Sequence, residues 1–172
     1  MEELPLGSLY ATLLVLILLS GFFSGSETAL FSLSRIDLQK LRHTRDRHSE
    51  NIHAMLDEPR RLIISILCGN ELINIAAVAN MTGILVTLYG AGKGGMLSIA
   101  IMVPLLLLFG EVTPKTIAVT NPMQLSTRLI ATPMTLWLRL VTPFRWLVRL
   151  LAERVTSLVV GPEKAMENIL QV

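Results

Sequence analysis

The chain has 172 residues, of which 52% are apolar and 16% charged, well below the roughly one quarter charged that is usual in soluble domains. With 15 basic against 13 acidic residues the net charge is only +2, and no basic patch is interleaved with aromatics, which argues against a soluble enzyme and against a nucleic-acid partner. The lone cysteine, Cys68, rules out an intrachain disulfide and, inside an apolar run, reads as a buried thiol.

No charge occurs from Leu4 to Ser26, and residues 62–88 and 94–120 carry few, so each run is long enough for a bilayer that needs about 20 residues per helix. Three spans are predicted, at 4–31, 60–89 and 95–120. A cleaved leader at the N-terminus is disfavoured: the run opens on Glu2 and Glu3 instead of Lys or Arg and outlasts a signal-peptide core of about 7–15 residues. Arg35, Lys40, Arg42, Arg45, Arg47, Arg60 and Arg61 lie between the first two spans, whereas the Gly90–Gly95 connection holds only Lys93. The positive-inside rule then places the N-terminus outside and the C-terminus in the cytoplasm.

Residues 34–58 read as a cytoplasmic helical hairpin. Ser34 with Asp37 three residues on makes a capping box, and Asp57 with Pro59 supplies a cap and a first-turn proline for the second span. His43, His48 and His53 recur every five residues, which spreads them around a helix and makes them surface residues, not metal ligands. From 121 to 160, Arg128, Arg139, Arg145, Arg149 and Arg154 punctuate an apolar stretch with Trp137, Trp146, Pro133 and Pro143. A fourth span would bury arginines, so a juxtamembrane belt of interfacial helices broken at the prolines is expected, with a tilted fourth span as its alternative. The fold class is thus an all-α integral membrane protein: three transmembrane helices, a cytoplasmic hairpin and a juxtamembrane belt.

All three spans carry polar residues: Ser20 and Ser24; Asn70, Glu71 and Asn74; Glu111. At about 1.5 Å per residue, Asn70 lies about 12–14 Å from the hairpin end of its span, while Ser20 and Glu111 lie about 22 Å from the other end of theirs. Across a core of about 30 Å they meet at one depth, and polar groups held together inside hydrocarbon point to a shared ion site. Ser20 with Ser24, Asn70 with Asn74, and Glu111 with Lys115 are i, i+4 pairs, each on one helix face. Gly21, Gly25, Gly69 and Gly110 permit close helix approach, and Pro104 and Pro114 unpair carbonyls near Glu111. Oxygen donors without neighbouring Cys or His suit Mg²⁺, Ca²⁺ or Na⁺. Simpler roles stay open: the serines as backbone or interhelical donors, the asparagines as interhelical hydrogen-bonders, and Glu111 with Lys115 as a structural ion pair. Glu71, about 100° around the helix from Asn70, is expected either to face a subunit interface or to be protonated, instead of joining the cavity.

Three motifs in order, Ser20-Gly21-Phe22-Phe23-Ser24-Gly25-Ser26-Glu27-Thr28-Ala29, Gly69-Asn70-Glu71-Leu72-Ile73-Asn74-Ile75-Ala76 and Gly110-Glu111-Val112-Thr113-Pro114-Lys115, resemble the transmembrane domain of the cyclin-M (CNNM) and bacterial CorC family of magnesium transporters. The resemblance implies a transmembrane domain over 1–160, a homodimer in the plasma membrane and an inward-facing cavity. It further implies Mg²⁺ efflux coupled to Na⁺ influx, with no enzymatic activity. By it, Ser24, Asn70 and Glu111 are the metal ligands. Ser20, Asn74, Gly110, Pro114 and Lys115 line or support the cavity. Apart from the resemblance, Ser20, Ser26 and Glu27 offer oxygens either to Na⁺ or to bonds between helices. Family members usually continue into paired cytoplasmic CBS domains, so residues 161–172 read as the start of a linker. Glu71 departs from the family pattern, which has an uncharged residue there. A Mg²⁺-sensing or accessory subunit that regulates another transporter is the alternative class. An intramembrane protease built on Ser24 and Lys115 is disfavoured, because Glu111 one turn away holds the lysine protonated.

Overall fold

The computed structural model describes residues 6–43 and 47–142. Residues 1–135 form one compact unit and 136–172 a second, of which the described part, 136–142, is helical. In the first unit α1 spans Leu6–Phe31, α2 Arg35–His43, α3 Arg47–Leu56, α4 Pro59–Tyr89 and α5 Ala91–Leu105. A π-helical stretch, Leu106–Val112, joins α5 to α6, Thr113–Thr120; α7, Pro122–Leu125, leads into a second π stretch, Ser126–Ile130, and helical residues 131–135. Three helical runs, Leu6–Phe31, Pro59–Tyr89 and Ala91–Thr120, are long and apolar enough to cross a membrane, which matches the all-α membrane class.

Central to the bundle is α1, which touches α4, the first π stretch, α6, α7 and the second π stretch. Its apolar residues run all the way round, as expected of a helix with lipid on one side and protein on the other. Leu14, Val15 and Leu18 face outward, while Leu13, Ser20, Phe23, Ser24, Ala29 and Leu30 are buried. Toward the Gly90 end, Leu13 packs with Ala77, Met81 and Leu85 of α4 and Met102 of α5. Thr82 donates its only hydroxyl proton to the Val78 carbonyl at 2.8 Å, so Ser98, 2.7 Å away, donates to Thr82 and ties α5 to α4.

The connection between the second and third spans is shorter than the sequence indicates. The third span begins at Ala91, not 95, and Gly90 alone reverses the chain with φ +80°, a left-handed conformation that costs glycine little. Its N–H closes α4 on the Val86 carbonyl at 2.9 Å, and its own carbonyl accepts from the Gly94 N–H at 2.9 Å. A Cβ on Gly94 would sit 2.7 Å from the backbone of Leu85 and Val86, so this glycine serves close helix packing and not a loop.

The hairpin forms as its capping box predicts. Ser34 Oγ accepts the Asp37 N–H at 3.1 Å and donates to Asp37 Oδ2 at 2.6 Å, while the Ser34 N–H also reaches Oδ2 at 3.1 Å. These bonds, the hydroxyl first and the backbone N–H second, hold the Asp37 carboxyl below its ordinary range. Leu41, Ile52 and Met55 are buried, and α3 packs on α2, α4 and the second π stretch. Four expectations are corrected here. Glu58, not Asp57, caps α4; it makes no side-chain cap bond and pairs instead with Arg61 at 3.0 Å, with Pro59 in the first turn as predicted. Only His43 of the three histidines is exposed: His48 Nδ1 lies 3.3 Å from Thr132 Oγ1, and His53 Nε2 is shut from solvent. Cys68 is half-buried, not buried. Helical residues 131–135 run through Pro133 without a break; the wider π turn just before it relieves the clash of the ring with the carbonyl four residues earlier. Pro143 and the belt beyond it lie outside the described residues.

Candidate functional site

Near the hairpin end of the bundle the interior changes from apolar to polar. Ser20 on α1 is buried, and its Oγ lies 2.6 Å from Asn74 Oδ1 and 3.4 Å from Asn70 Oδ1, both on α4. The i, i+4 spacing of the asparagines aims both amide oxygens at one hydroxyl. From the third span Gly110 presses on the same serine, and a Cβ there would fall 2.6 Å from Ser20 Oγ. Hydroxyl and amide oxygens from two spans therefore meet the backbone of the third.

One turn toward the hairpin, Ser24 is buried and its Oγ donates to the Glu111 backbone carbonyl at 3.4 Å. Gly110 and Glu111 both lie in the π stretch, where each N–H reaches back five residues, as the Thr113 N–H does to the Leu108 carbonyl. Pro114 then offers no N–H, so the third span lacks a donor where it packs against Gly21 of α1. Gly21 makes that approach possible: a Cβ on it would stand 3.0 Å from the Pro114 ring and 3.2 Å from the Phe109 carbonyl oxygen. The two expected prolines thus mark a real irregularity, with Pro104 inside α5 just before the π stretch and Pro114 just after it.

The Glu111 side chain turns away from the amide cluster. Its Oε1 accepts from Lys115 Nζ at 3.2 Å, and the same ammonium stands 3.8 Å from Glu27 Oε2 on α1. Among the described residues neither Ser24 nor Asn70 hydrogen-bonds the Glu111 carboxylate. The predicted polar layer is therefore two adjoining groups, an uncharged one of Ser20, Asn70 and Asn74 and a charged one of Glu111, Lys115 and Glu27, with Ser24 and Gly110 between them. Ser26 is buried, but its hydroxyl donates to the Phe22 carbonyl of its own helix at 2.6 Å. Glu71 is exposed on the outer face of α4 beside Leu67, Leu72 and Ile75, with no ion pair or hydrogen bond to any described residue.

As a cation site this donor set is hard and sparsely charged. No group of three or more His, Cys, Asp or Glu gathers among the described residues, so a cation would draw on hydroxyl, amide and carbonyl oxygens around one carboxylate. Such donors fit Mg²⁺ or Na⁺ in kind. The single Ser20 hydroxyl proton goes to Asn74 Oδ1 at 2.6 Å, which leaves Asn70 Oδ1, 3.4 Å away, its lone pairs for a cation. Three features had no signal in the sequence pattern: the Thr82–Ser98 bond, the buried Ser126 hydroxyl and the buried Asn80 Oδ1, the latter two without partners among the described residues. Serine, threonine and asparagine inside apolar runs announce no partner until the helices are packed.

The family described as cyclin M transmembrane N-terminal domain matches residues 11–171 of this chain. A UPF0053 protein of Haemophilus influenzae is 31% identical over 159 residues, covering 92% of this chain and 37% of the relative. The UPF0053 inner membrane protein YfjD of Escherichia coli is 38% identical over 104 residues, 60% of this chain and 24% of its own length. A chloroplastic DUF21 domain-containing protein of Arabidopsis thaliana is 34% identical over 131 residues, 75% of this chain and 19% of that protein. The chain spans well under half the length of each of these relatives. By sequence, the chain belongs to the cyclin M transmembrane N-terminal domain family.

Proposed function

We propose that this membrane domain carries Mg²⁺, exporting it from the cytoplasm in exchange for entering Na⁺. The observation that supports the reading is the meeting of Ser20, Asn70 and Asn74 beside Gly110, with Ser24 held to the Glu111 backbone, inside otherwise apolar spans. Each interhelical hydrogen bond in a membrane contributes only about 0.6 kcal/mol, so stability alone is a weak reason to keep so many oxygens at one depth. In this proposal Ser24, Asn70 and Glu111 replace water around the ion, and Ser20 and Asn74 orient Asn70. The small set of charges keeps binding weak enough for release. Release follows when the third span shifts about its π stretch and prolines. Ser20 and Glu27 offer oxygens for Na⁺; Ser26 joins them only if its hydroxyl leaves the Phe22 carbonyl. The arginine-rich hairpin supports a cytoplasmic placement of that end, with the N-terminus outside in the plasma membrane. A homodimer and cytoplasmic CBS domains in a longer protein complete the reading.

The test is Mg²⁺ efflux from loaded vesicles containing purified protein, alongside calorimetric Mg²⁺ binding. The expected outcome is that Glu111→Gln and Asn70→Ala each lower affinity by about tenfold or more, the scale of losing one good ligand contact. Efflux should stop when external Na⁺ is removed. Binding unchanged in both variants would overturn the site. Normal binding without any flux would favour a sensing or accessory subunit, and flux indifferent to Na⁺ would overturn the coupling.

A further inference from the structure

Lys115 is the one positive group placed within ion-pair reach of both Glu111 and Glu27 among the described residues, and it sits on an arm that can serve either. Its Nζ is 3.2 Å from Glu111 Oε1, one turn back along the third span, and 3.8 Å from Glu27 Oε2 on α1. The side chains of Lys115, Glu27 and Glu111 are 39%, 32% and 50% exposed, so the group is reachable from outside the bundle instead of sealed within it. Glu111 Oε2 has no partner among the described residues. Two carboxylates and one ammonium leave a net charge of −1, enough to attract a cation but occupied at Oε1. A doubly charged ion on Glu111 with the ammonium still in place would bring like charges within a few Å, where repulsion is strong.

We infer that Lys115 is a tethered competitor for the cation site: its ammonium neutralises Glu111 between ions, and a divalent ion displaces it onto Glu27. The inference rests on the reading that Glu111 binds the transported ion. The exchange needs no uncovered charge. As a divalent ion approaches the free Oε2, its repulsion drives the ammonium off Oε1 to Glu27, whose carboxylate already lies within ion-pair distance on the neighbouring helix. When the ion leaves, the ammonium returns. A carboxylate stranded without a counter-charge at membrane depth is costly, so the arm eases both loading and release. Lysine suits the task because its charge is compact and its four-carbon stem flexible, whereas the planar arginine fork would grip one carboxylate in both positions. Glu27 on this account is not a ligand of the divalent ion but the resting place for the displaced ammonium. The same movement changes a link between α1 and α6, so ion loading is communicated to helix packing.

The experiment is calorimetric Mg²⁺ binding to the purified protein in four forms: wild type, Lys115→Met, Glu27→Gln and the double variant, with Glu111→Gln as control. Lys115→Met should bind Mg²⁺ about tenfold tighter, and efflux from loaded vesicles should slow because release is impaired. Glu27→Gln should bind several-fold more weakly, because the ammonium has nowhere else to go, and should have no further effect in the Lys115→Met background. Lys115→Met binding no tighter than wild type would overturn the inference, as would a Glu27→Gln loss that persists in the double variant. If Lys115→Met does not fold, Glu27→Gln decides alone, and unchanged affinity there overturns the inference. Undiminished binding by Glu111→Gln instead overturns the ion site itself, so the two failures are distinct.

Discussion

The two halves of the helical bundle are built from the same three spans but by different chemistry. Toward the Gly90 turn, Leu13, Ala77, Met81, Leu85 and Met102 interlock, with the Thr82–Ser98 bond as the one polar tie described above. Toward the hairpin, Ser20, Asn70, Asn74 and Gly110 meet, and Lys115 bridges Glu111 to Glu27. Lipid tails are as apolar as leucine, so burial from water does not hold either half together, and close contact has to. The apolar half achieves this with shape alone. The polar half gains little extra from hydrogen bonds of about 0.6 kcal/mol each, and leaves oxygens with spare lone pairs. A packing clamp and a ligand-ready interior thus share one set of helices, and stability and binding should respond to different residues.

Met102→Ala gives the largest expected stability effect. Met102 is 1% exposed amid the apolar cluster, and its truncation should destabilise by about 2 kcal/mol or more through the cavity left behind. Reversible unfolding in mixed micelles measures the loss, and the folded fraction should keep its Mg²⁺ affinity. An altered affinity would mean that the halves are not separable. Ser20→Ala should show the reverse: a stability change of only about 0.6 kcal/mol, yet a clear fall in Mg²⁺ affinity, because Asn70 and Asn74 lose the hydroxyl that orients them. A large loss of stability with unchanged affinity would make the polar half a second clamp.

The smallest effect lies outside the membrane and serves as a control on both halves. Asp37 has its carboxyl depressed by Ser34, so the folded form holds its proton less readily than the unfolded one. Its contribution is fully present above the ordinary carboxyl value of 3.8 and is lost as pH falls through the lower folded value. Amide exchange in the first turn of α2, corrected for the intrinsic rate, should quicken across that acidic window and not between pH 5 and 7. Asp37→Asn should remove the step, while unfolding of the spans and Mg²⁺ affinity stay unchanged.

Legibility of the site in the sequence followed the same division. The depth argument placed Ser20, Asn70 and Glu111 at one level, with Asn74 about 6 Å farther outward, because it treats each span as a straight ruler from a recognisable end; the structure brings Ser20 to both asparagines, nearest to Asn74. The i, i+4 spacing had already offered the Glu111–Lys115 ion pair as an alternative; what the depth argument could not see is that the Glu111 backbone carbonyl, and not its carboxylate, would take the Ser24 hydroxyl. A π turn adds a residue to a helical turn, and everything beyond it rotates by about 100°, one residue's worth. Pro104 and Pro114 signalled an irregularity there without saying of which kind. Glu71 was undecided for a related reason. Its facing relative to Asn70 was known, but which face of α4 meets α1 is a property of the packed pair.

What the sequence by itself determined is local and cumulative: the three apolar runs of bilayer length, the Ser34–Asp37 cap, the basic loop between the first two spans and Pro59 at the entrance to the second. Each rests on residues within one turn or on the sum over one run, which the chain carries whether or not it is folded. Tertiary structure decided which polar residues share a space. It set the reversal at Gly90 with Gly94 against Leu85 and Val86, the π stretch beside Gly21, the outward face of Glu71 and the reach of Lys115 to a carboxylate on another helix. Those outcomes depend on the rotation of whole helices against one another, which is fixed only when glycine clefts and proline irregularities from separate spans meet.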